Sequence, residues 1–193
     1  EKHIVHDCVV PEEFVYSSKG YAPECEGIDP AGRVYAHIAG IDLVEGKDGH
    51  WYVLEDNLRI PSGASYPMIA RRITRKVSPG TFAANAVADN RDYADLLRAM
   101  MDTMNGYRGI SVILTPGRYN SAFFEHSYLA ERTGATLAYP GDLFVEDDKV
   151  YYAGMGQDKT RVGCIYRRIS DEYMDPMYFE ASSLLGVPNV MQA

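Results

Sequence analysis

The stretch that most constrains the fold of this 193-residue chain lies at residues 36–72, AHIAGIDLVEGKDGHWYVLEDNLRIPSGASYPMIARR. At its centre the dipeptide Asp48-Gly49 is flanked on both sides by strand-forming residues. This dipeptide favours a two-residue type I′ hairpin turn, because glycine accepts positive φ without strain. A short loop rich in small residues and a helix should follow the second strand. The stretch therefore predicts a unit of hairpin, loop and helix.

Three oxygen-bearing side chains share one face of the predicted hairpin. Counting outward from the turn pairs Val44 with Val53 and Asp42 with Glu55. Side chains alternate along a strand, so Asn57 joins Asp42 and Glu55 on that face. Both faces also carry apolar residues, and we therefore expect the hairpin to be covered on both sides.

The two opposed carboxylates need a cation between them, since like charges directly opposite each other destabilise a sheet. Two carboxylates and an amide oxygen are hard ligands, which Mg²⁺ accepts while it keeps waters and substrate phosphates in its remaining positions. Asp42, Glu55 and Asn57 are therefore candidate magnesium ligands. The alternative is a structural ion pair in which Arg59 or Arg71 bridges the acids.

The loop after the acids has the features of an anion-binding site. Residues 61–65, PSGAS, offer backbone N–H groups just before a helix that we expect to begin near Tyr66, with Ser65 as its N-cap. Basic residues add positive charge further along that helix. The acids and the loop together indicate a site for a metal ion and a phosphate.

The order of these motifs resembles the metal-binding end of ATP-grasp ligases. VLEDNLRIPSGASY, followed at a distance by LTPGRYNSAFFEHSYLA and IYRRI, is similar more narrowly to the circularly permuted ATP-grasp proteins, some of which are described as related to glutathionylspermidine synthase. In ordinary ATP-grasp enzymes a Rossmann-like domain comes first and the Glu-x-Asn motif last. Here that order is reversed, and the resemblance covers nearly the whole chain.

The resemblance implies an ATP- and Mg²⁺-dependent ligase that joins a carboxylate to an amine through an acyl phosphate. One or two Mg²⁺ ions would sit on the three candidate ligands and bridge the phosphates of ATP. An arginine would offset charge on the transferred phosphoryl group, and the loop would hold the acyl phosphate through backbone donors. The catalytic residues implied in this way are Arg59, Ser62, Gly63 and Ser65.

The second half of the chain predicts a β-α-β unit with two parallel strands. An apolar strand at residues 110–114 precedes a helix capped by Asn120 or Ser121, and a further strand follows at residues 136–139. Open α/β sheets bind ligands in the loop at the carboxyl end of such a strand. The resemblance points to acceptor recognition there; the alternative is that Glu125 complements the helix dipole and His126 packs. The candidate substrate residues, including an arginine at the end of a later strand, are Tyr119, Asn120, Ser121, Glu125, His126 and Arg167.

The predicted fold class is α/β, with a permuted ATP-grasp metal-binding hairpin and helix followed by a Rossmann-like half. We expect a metal- and phosphate-binding segment over residues 1–77, a connecting helical segment over 78–105 with an amphipathic helix at 91–104, and a Rossmann-like domain over 106–193 with a second hairpin at 143–152. P-loop and G-x-G-x-x-G patterns are absent. The Rossmann-like half is therefore not predicted to bind a dinucleotide. The resemblance implies a piece of a longer chain, inactive alone, whose nucleotide-binding lobe lies in the continuation.

The charge and the apolar content of the chain limit the classes of partner and the cellular setting that we expect. The formal net charge of −8 argues against nucleic acid and membrane surfaces as partners. The resemblance implies small-molecule or peptide carboxylates and amines as the substrates. No apolar run could span a bilayer and no signal peptide is recognisable, so a cytoplasmic setting is expected. Two other classes stay open: a binding or regulatory module that lost turnover, and a hydrolase with Asp42 and Glu55 as an acid/base pair, which leaves Asn57 and Arg59 without a task.

Overall fold

The computed structural model describes residues 2–154, 156 and 158–193, and its contacts divide the chain into two units. The first unit, Glu1–Ala36, contains the short helices α1 (His3–His6) and α2 (Glu12–Tyr16) and two 3-10 turns. The second unit, His37–Ala193, contains all of the described strands and the longer helices. The predicted boundaries after residues 77 and 105 both fall inside this second unit.

Strands β1 (Gly40–Glu45) and β2 (Trp51–Asn57) form the predicted antiparallel hairpin, but the turn differs from the prediction. The N–H of Gly49 donates to the carbonyl of Gly46 at 2.9 Å, which closes a four-residue turn. Within this turn only Gly49 has a positive φ, of 78°, whereas a type I′ turn needs two such residues. The predicted two-residue turn is therefore wrong.

The register of the hairpin shifts twice between the turn and the acids. Val44 lies opposite Tyr52, one residue away from the predicted partner, because the loop has an extra residue. A bulge then leaves Leu54 unpaired, which shifts the register back by one residue. Asp42 consequently lies opposite Glu55, and that predicted pairing is confirmed.

Both faces of the hairpin are exposed along its length. The exposed fractions of Trp51 and Leu54 are 65% and 67%, and every residue of β2 is exposed. The expectation that the hairpin is covered on both sides is therefore wrong for this chain, because β1 and β2 pack mainly against each other.

Three helices follow the hairpin: α3 (Ser65–Val77), α4 (Pro79–Ala84) and α5 (Tyr93–Asn105). Pro79 begins α4 directly after α3 ends, as expected for a residue that is tolerated in a first helical turn but not in a helix interior. Helix α5 confirms the predicted amphipathic helix within two residues. Its Leu97 and Met101 are buried, and Gly106 ends it in the left-handed conformation.

A five-stranded sheet carries the buried core of the second unit on its two faces. The predicted β-α-β unit is confirmed as β3 (Ile110–Leu114), α6 (Phe123–Thr133) and β4 (Thr136–Ala138), with β3 and β4 parallel. The sheet order is β4-β3-β7-β6-β5, in which β3 is also parallel to β7 while β5, β6 and β7 are antiparallel. The last three strands are β5 (Leu143–Glu146), β6 (Lys149–Tyr152) and β7 (Thr160–Arg167).

The central strand β3 supplies core residues to both faces of this sheet. Val112 and Leu114 pack into a cluster with Ile169 and Val187 from the C-terminal segment. Ile113 points to the other face, where it packs with residues of α5 and α6. Burial on both faces explains the continuous apolar run of β3. The mixed α/β class is confirmed, and no helix in the described ranges has the length and apolarity needed to cross a bilayer.

Candidate metal and phosphate site

The acids of the hairpin and Asn57 form one cluster. Asp42 and Glu55 are directly opposed across the strands. The Nδ2 of Asn57 donates to Asp42 Oδ2 at 3.3 Å and to Glu55 Oε1 at 3.4 Å. The prediction that the three side chains share a face is therefore confirmed. Rotating the Asn57 amide by half a turn would present its oxygen instead, which gives three oxygen donors suited to Mg²⁺.

Neither of the arginines considered for a structural ion pair reaches these acids. Arg59 bonds through its guanidinium to Asp171, at 2.9 Å, and to Glu172. Arg71 lies 3.5 Å from Asp89 and stacks over the Phe82 ring at 4.8 Å. Over the described part of the chain no cationic side chain pairs with the acid cluster. The structural ion pair is therefore wrong, and the cluster keeps its negative charge.

An open cleft of about 540 Å³ lies beside the cluster. This volume falls within the range typical of ligand sites. The cleft brings together two candidate metal ligands, the candidate catalytic arginine and the start of the loop. Its lining residues that bear on the predicted site are Asp42, Asn57, Arg59 and Ser62.

The loop binds an anion, and that anion is the carboxylate of Glu125. The N–H of Gly63 lies 2.9 Å from both oxygens of Glu125. The N–H and the hydroxyl of Ser65 each donate to Glu125 Oε2 at 2.9 Å. Helix α3 begins at Ser65, and its N-cap is Ala64. The prediction that Ser65 is the N-cap is therefore wrong. Ser62 stays exposed on the cleft wall.

Glu125 is 1% exposed, yet these hydrogen bonds make its burial possible. A buried carboxylate is costly unless its oxygens are satisfied, and charge-assisted bonds to backbone N–H groups are strong. Glu125 also lies in the first turn of α6 and at the start of α3, where both helix dipoles favour a negative charge. The helix-dipole alternative for Glu125 accounts for this geometry.

His126 is also buried, and its Nδ1 lies 2.8 Å from the Thr115 hydroxyl oxygen. Burial, with a further contribution from the positive charge of Arg168, lowers the pKa of His126 to about 4. The ring is therefore neutral at pH 7, and its geometry agrees with the packing alternative.

The remaining candidate substrate residues lie in two places. Tyr119, Asn120 and Ser121 are exposed in the loop after β3, and Tyr119 is 99% exposed. Asn120 accepts the Ala122 N–H at 2.9 Å, and neither Asn120 nor Ser121 is the N-cap of α6. Arg167 instead bonds to Asp171, which also binds Arg59. One carboxylate thus joins a candidate catalytic arginine to a candidate substrate arginine.

The comparison with known families decides what the chain is related to. A family model described as a circularly permuted ATPgrasp matches residues 1–193. The chain belongs to the circularly permuted ATP-grasp family. ATP-grasp proteins generally use ATP and Mg²⁺, and the oxygen donors of the acid cluster fit that metal.

Relatives of this ATP-grasp chain are longer proteins. An uncharacterized protein of Mycobacterium bovis is 43% identical over 196 residues, which cover 100% of this chain and 35% of the relative. An uncharacterized protein of Synechocystis is 40% identical, covering 99% of the chain and 40% of the relative. A Frankia casuarinae protein named as a candidate glutamate–cysteine ligase is 36% identical, covering 97% of the chain and 22% of the relative. The chain thus spans well under half of the length of these relatives.

Sequence reasoning did not predict the burial of one arginine of this ATP-grasp chain. Arg168 is 4% exposed, donates to the Ile60 carbonyl at 3.3 Å and to the Tyr166 hydroxyl at 3.0 Å, and lies over the Tyr166 ring. It therefore ties the sheet to the loop beside the cleft. Arg168 directly follows the last residue of β7, where an extended backbone favours opposite directions for the side chains of Arg167 and Arg168.

Sequence reasoning also missed the acids that hold the segment after β7. Asp171 and Glu172, which bind Arg59, lie in a 3-10 turn that no sequence pattern marks. Asp175 is fully buried and accepts the N–H groups of Met177, Asn189 and Met191 at 2.9–3.0 Å. The contacts with Arg59, Asn189 and Met191 join residues 14 to 113 positions apart, so they leave no local signal.

Proposed function

We propose that this chain holds the metal and phosphate part of an ATP- and Mg²⁺-dependent ligase that joins a carboxylate to an amine. The acid cluster carries the proposal: Asp42, Glu55 and Asn57 meet on one face beside an open cleft, and no arginine in the described ranges pairs with the acids. The ATP-grasp family and the name of the Frankia relative support a ligase.

The chemistry needs charge neutralisation and alignment. A carboxylate is a poor acyl donor, so the γ-phosphoryl group of ATP is first transferred to it, and the amine then displaces phosphate from the acyl phosphate. When bound, Mg²⁺ offsets the charge of the phosphates. Asp42, Glu55 and Asn57 would hold it, and Arg59 on the cleft wall would offset further charge. The Asp171 and Glu172 carboxylates hold Arg59 in place for that task.

The loop residues divide into two roles in this proposal. Ser62 faces the cleft and is placed to meet a phosphate or acyl phosphate. The N–H groups of Gly63 and Ser65 already bind Glu125, so in this arrangement they fix the loop rather than the substrate. Glu125 therefore acts as a positioning residue.

Acceptor recognition falls to the exposed loop at the carboxyl end of β3. Tyr119, Asn120 and Ser121 are the proposed contacts, while His126 supports the loop through Thr115. Arg167 would act through Asp171 on Arg59. Because the Frankia relative is named as a candidate glutamate–cysteine ligase, glutamate and cysteine are the first acid and amine to test.

The experiment is ATP turnover by the full-length protein with Mg²⁺ against a panel of acids and amines, with product mass measured. We expect Glu55→Gln and Asp42→Asn to lower turnover about 100-fold or more, since each removes a charge that neutralises the metal. Glu45→Gln, an equal change on the same hairpin outside the cluster, should leave it unchanged. Retained turnover in Glu55→Gln would reject the proposed site. Mg²⁺-dependent ATP binding without any product would identify a regulatory module instead.

We propose that the nucleotide-binding lobe lies outside these 193 residues, which is supported by the greater length of the relatives. The isolated chain should therefore show no ATP hydrolysis above background, in contrast to the full-length protein.

A further inference from the structure

A basic pocket of about 300 Å³ lies between α3 and α6. Five guanidinium groups line it, together with the side chains of Met68 and Tyr128. We call it the arginine pocket, and its arginines are Arg71, Arg72, Arg75, Arg91 and Arg132.

The charge of the arginine pocket contrasts with that of the chain. The chain has 19 basic and 27 acidic residues, yet the lining of this pocket contains five cations and no acid. Asp89 lies outside the lining and pairs with Arg71 and Arg91. In the described ranges the other three arginines, 72, 75 and 132, have no ion-pair or hydrogen-bond partner. Like charges held together repel, and a bound anion would relieve that repulsion.

The arginine pocket is partly organised without a ligand. Arg71 is held by stacking on Phe82 at 4.8 Å and by a hydrogen bond to the Val87 carbonyl at 3.3 Å. Met68 is buried at the base of the same helix face. A guanidinium that is already fixed loses less entropy on binding an anion.

The pocket is separate from the proposed metal site. Arg75 lies ten residues after Ser65 on the same helix, and at 1.5 Å per residue this places it about 15 Å further along the axis. The cleft beside the acid cluster and the arginine pocket share no lining residue.

We infer that the arginine pocket binds a small ligand that carries two or more phosphate or carboxylate charges. Three unpaired guanidinium groups call for more than one negative charge, and their planar donors match phosphate and carboxylate oxygens in pairs. The volume is at the lower end for ligand sites, so the ligand is a compact molecule. Met68 and Tyr128 provide an apolar wall for its carbon skeleton.

The test is titration calorimetry of the full-length protein with pyrophosphate and, separately, citrate, at physiological salt and without Mg²⁺. Omitting Mg²⁺ keeps the proposed metal site from contributing. We expect at least one probe to bind, and Arg72→Gln and Arg132→Gln each to weaken its affinity at least about tenfold. Both side chains are exposed, so the substitutions leave the core intact. The probe that binds more tightly identifies a phosphate or a carboxylate ligand.

Lys76→Gln is the matched control, since it removes one charge from α3 without touching the pocket. It should change the affinity less than about twofold. Glu55→Gln should also retain the affinity, which separates this inference from the proposed function. Absence of binding by both probes, or equal losses in Lys76→Gln and Arg72→Gln, would overturn the inference.

Discussion

Asp42 and Glu55 face each other, and among the described residues no cationic side chain pairs with either, so their carboxylates repel each other. Both side chains are exposed, and two unit charges about 4 Å apart in water repel by only about 1 kcal/mol. The Asn57 amide offsets part of this by donating to both. Removing one of the two charges should therefore not lower the free energy of unfolding of the metal-free protein.

We expect Glu55→Gln to leave the free energy of unfolding without metal unchanged or to raise it by up to about 1 kcal/mol. Urea unfolding in the presence of a chelator measures it. Added Mg²⁺ should stabilise the original protein and the Glu45→Gln control, but not Glu55→Gln, because only the intact cluster binds the ion. A loss of about 3 kcal/mol or more without metal would instead indicate a broken buried ion pair.

His126 makes the stability of the fold depend on pH. Its pKa is lowered to about 4 in the fold, whereas the ordinary value of about 6.5 holds after unfolding. Between these values the unfolded chain binds the extra proton, so the contribution of His126 is present above pH 6.5 and is lost as the pH falls to 4. The loss amounts to at most about 3 kcal/mol.

Urea unfolding between pH 7.5 and 4 measures this loss. The neutral variant His126→Gln should lack that part of the pH dependence. Parallel curves for the two proteins would contradict the assignment.

At the scale of elements, the hairpin shows what sequence signals can and cannot predict. Asp-Gly predicted a turn at the correct place, but of the wrong type, because the Asp48 carboxylate accepts the N–H of His50 and the hydroxyl of Tyr52. Those bonds accompany a negative φ at Asp48. Two consecutive residues of positive φ occur instead at Asp147 and Asp148, in the second predicted hairpin.

The confirmed elements have local signals. The apolar stripe of α5 and the apolar run of β3 are visible within a dozen residues. The bonds from Glu125 to the loop and from Arg168 to Ile60 join residues 60–108 positions apart. A single sequence offers no signal for such contacts. The sequence therefore predicts that the loop at residues 61–65 binds an external anion.

The loop also depends on a close approach to β1. A Cβ added at Gly40 would lie 2.7 Å from the Cβ of Pro61, which is closer than carbon atoms pack. We expect Gly40→Ala to shift the loop beside Ser62, to cost about 1–3 kcal/mol of stability and to lower turnover of the full-length protein. Thermal unfolding and ATP turnover measure the two effects. Gly141→Ala, where a Cβ meets open space, should change neither.

Glu125 links the start of α3 to α6, and its charge is essential for that link. Glu125→Gln keeps the size of the side chain but turns an amide N–H group toward the donors of Gly63 and Ser65. We expect a loss of about 2–4 kcal/mol in the free energy of unfolding. Glu131→Gln, an exposed position on the same helix, should cost less than about 0.5 kcal/mol. Equal effects of the two substitutions would contradict the role of Glu125.

At the scale of the whole molecule, the hairpin is an element whose two strands pack mainly against each other. The apolar side chains of the hairpin face solvent on both sides, whereas the five-stranded sheet has a buried core on each face. The chain spans 35% of the Mycobacterium bovis relative. The cleft of the proposed ligase site is lined by the end of the hairpin and by the loop that Glu125 and Arg168 hold through hydrogen bonds.

The bonds from the Gly63 and Ser65 N–H groups to Glu125 also make it possible to measure the free energy of separating the loop from α6. Backbone amides in loops normally exchange their hydrogens with water quickly. These two amides point into a buried carboxylate 60 or more positions away, so they can exchange only when the loop separates from α6. We expect hydrogen–deuterium exchange at both to be as slow as in β3, while Ser62 exchanges freely. Their exchange rate then gives the free energy of opening, and Glu125→Gln should abolish the protection.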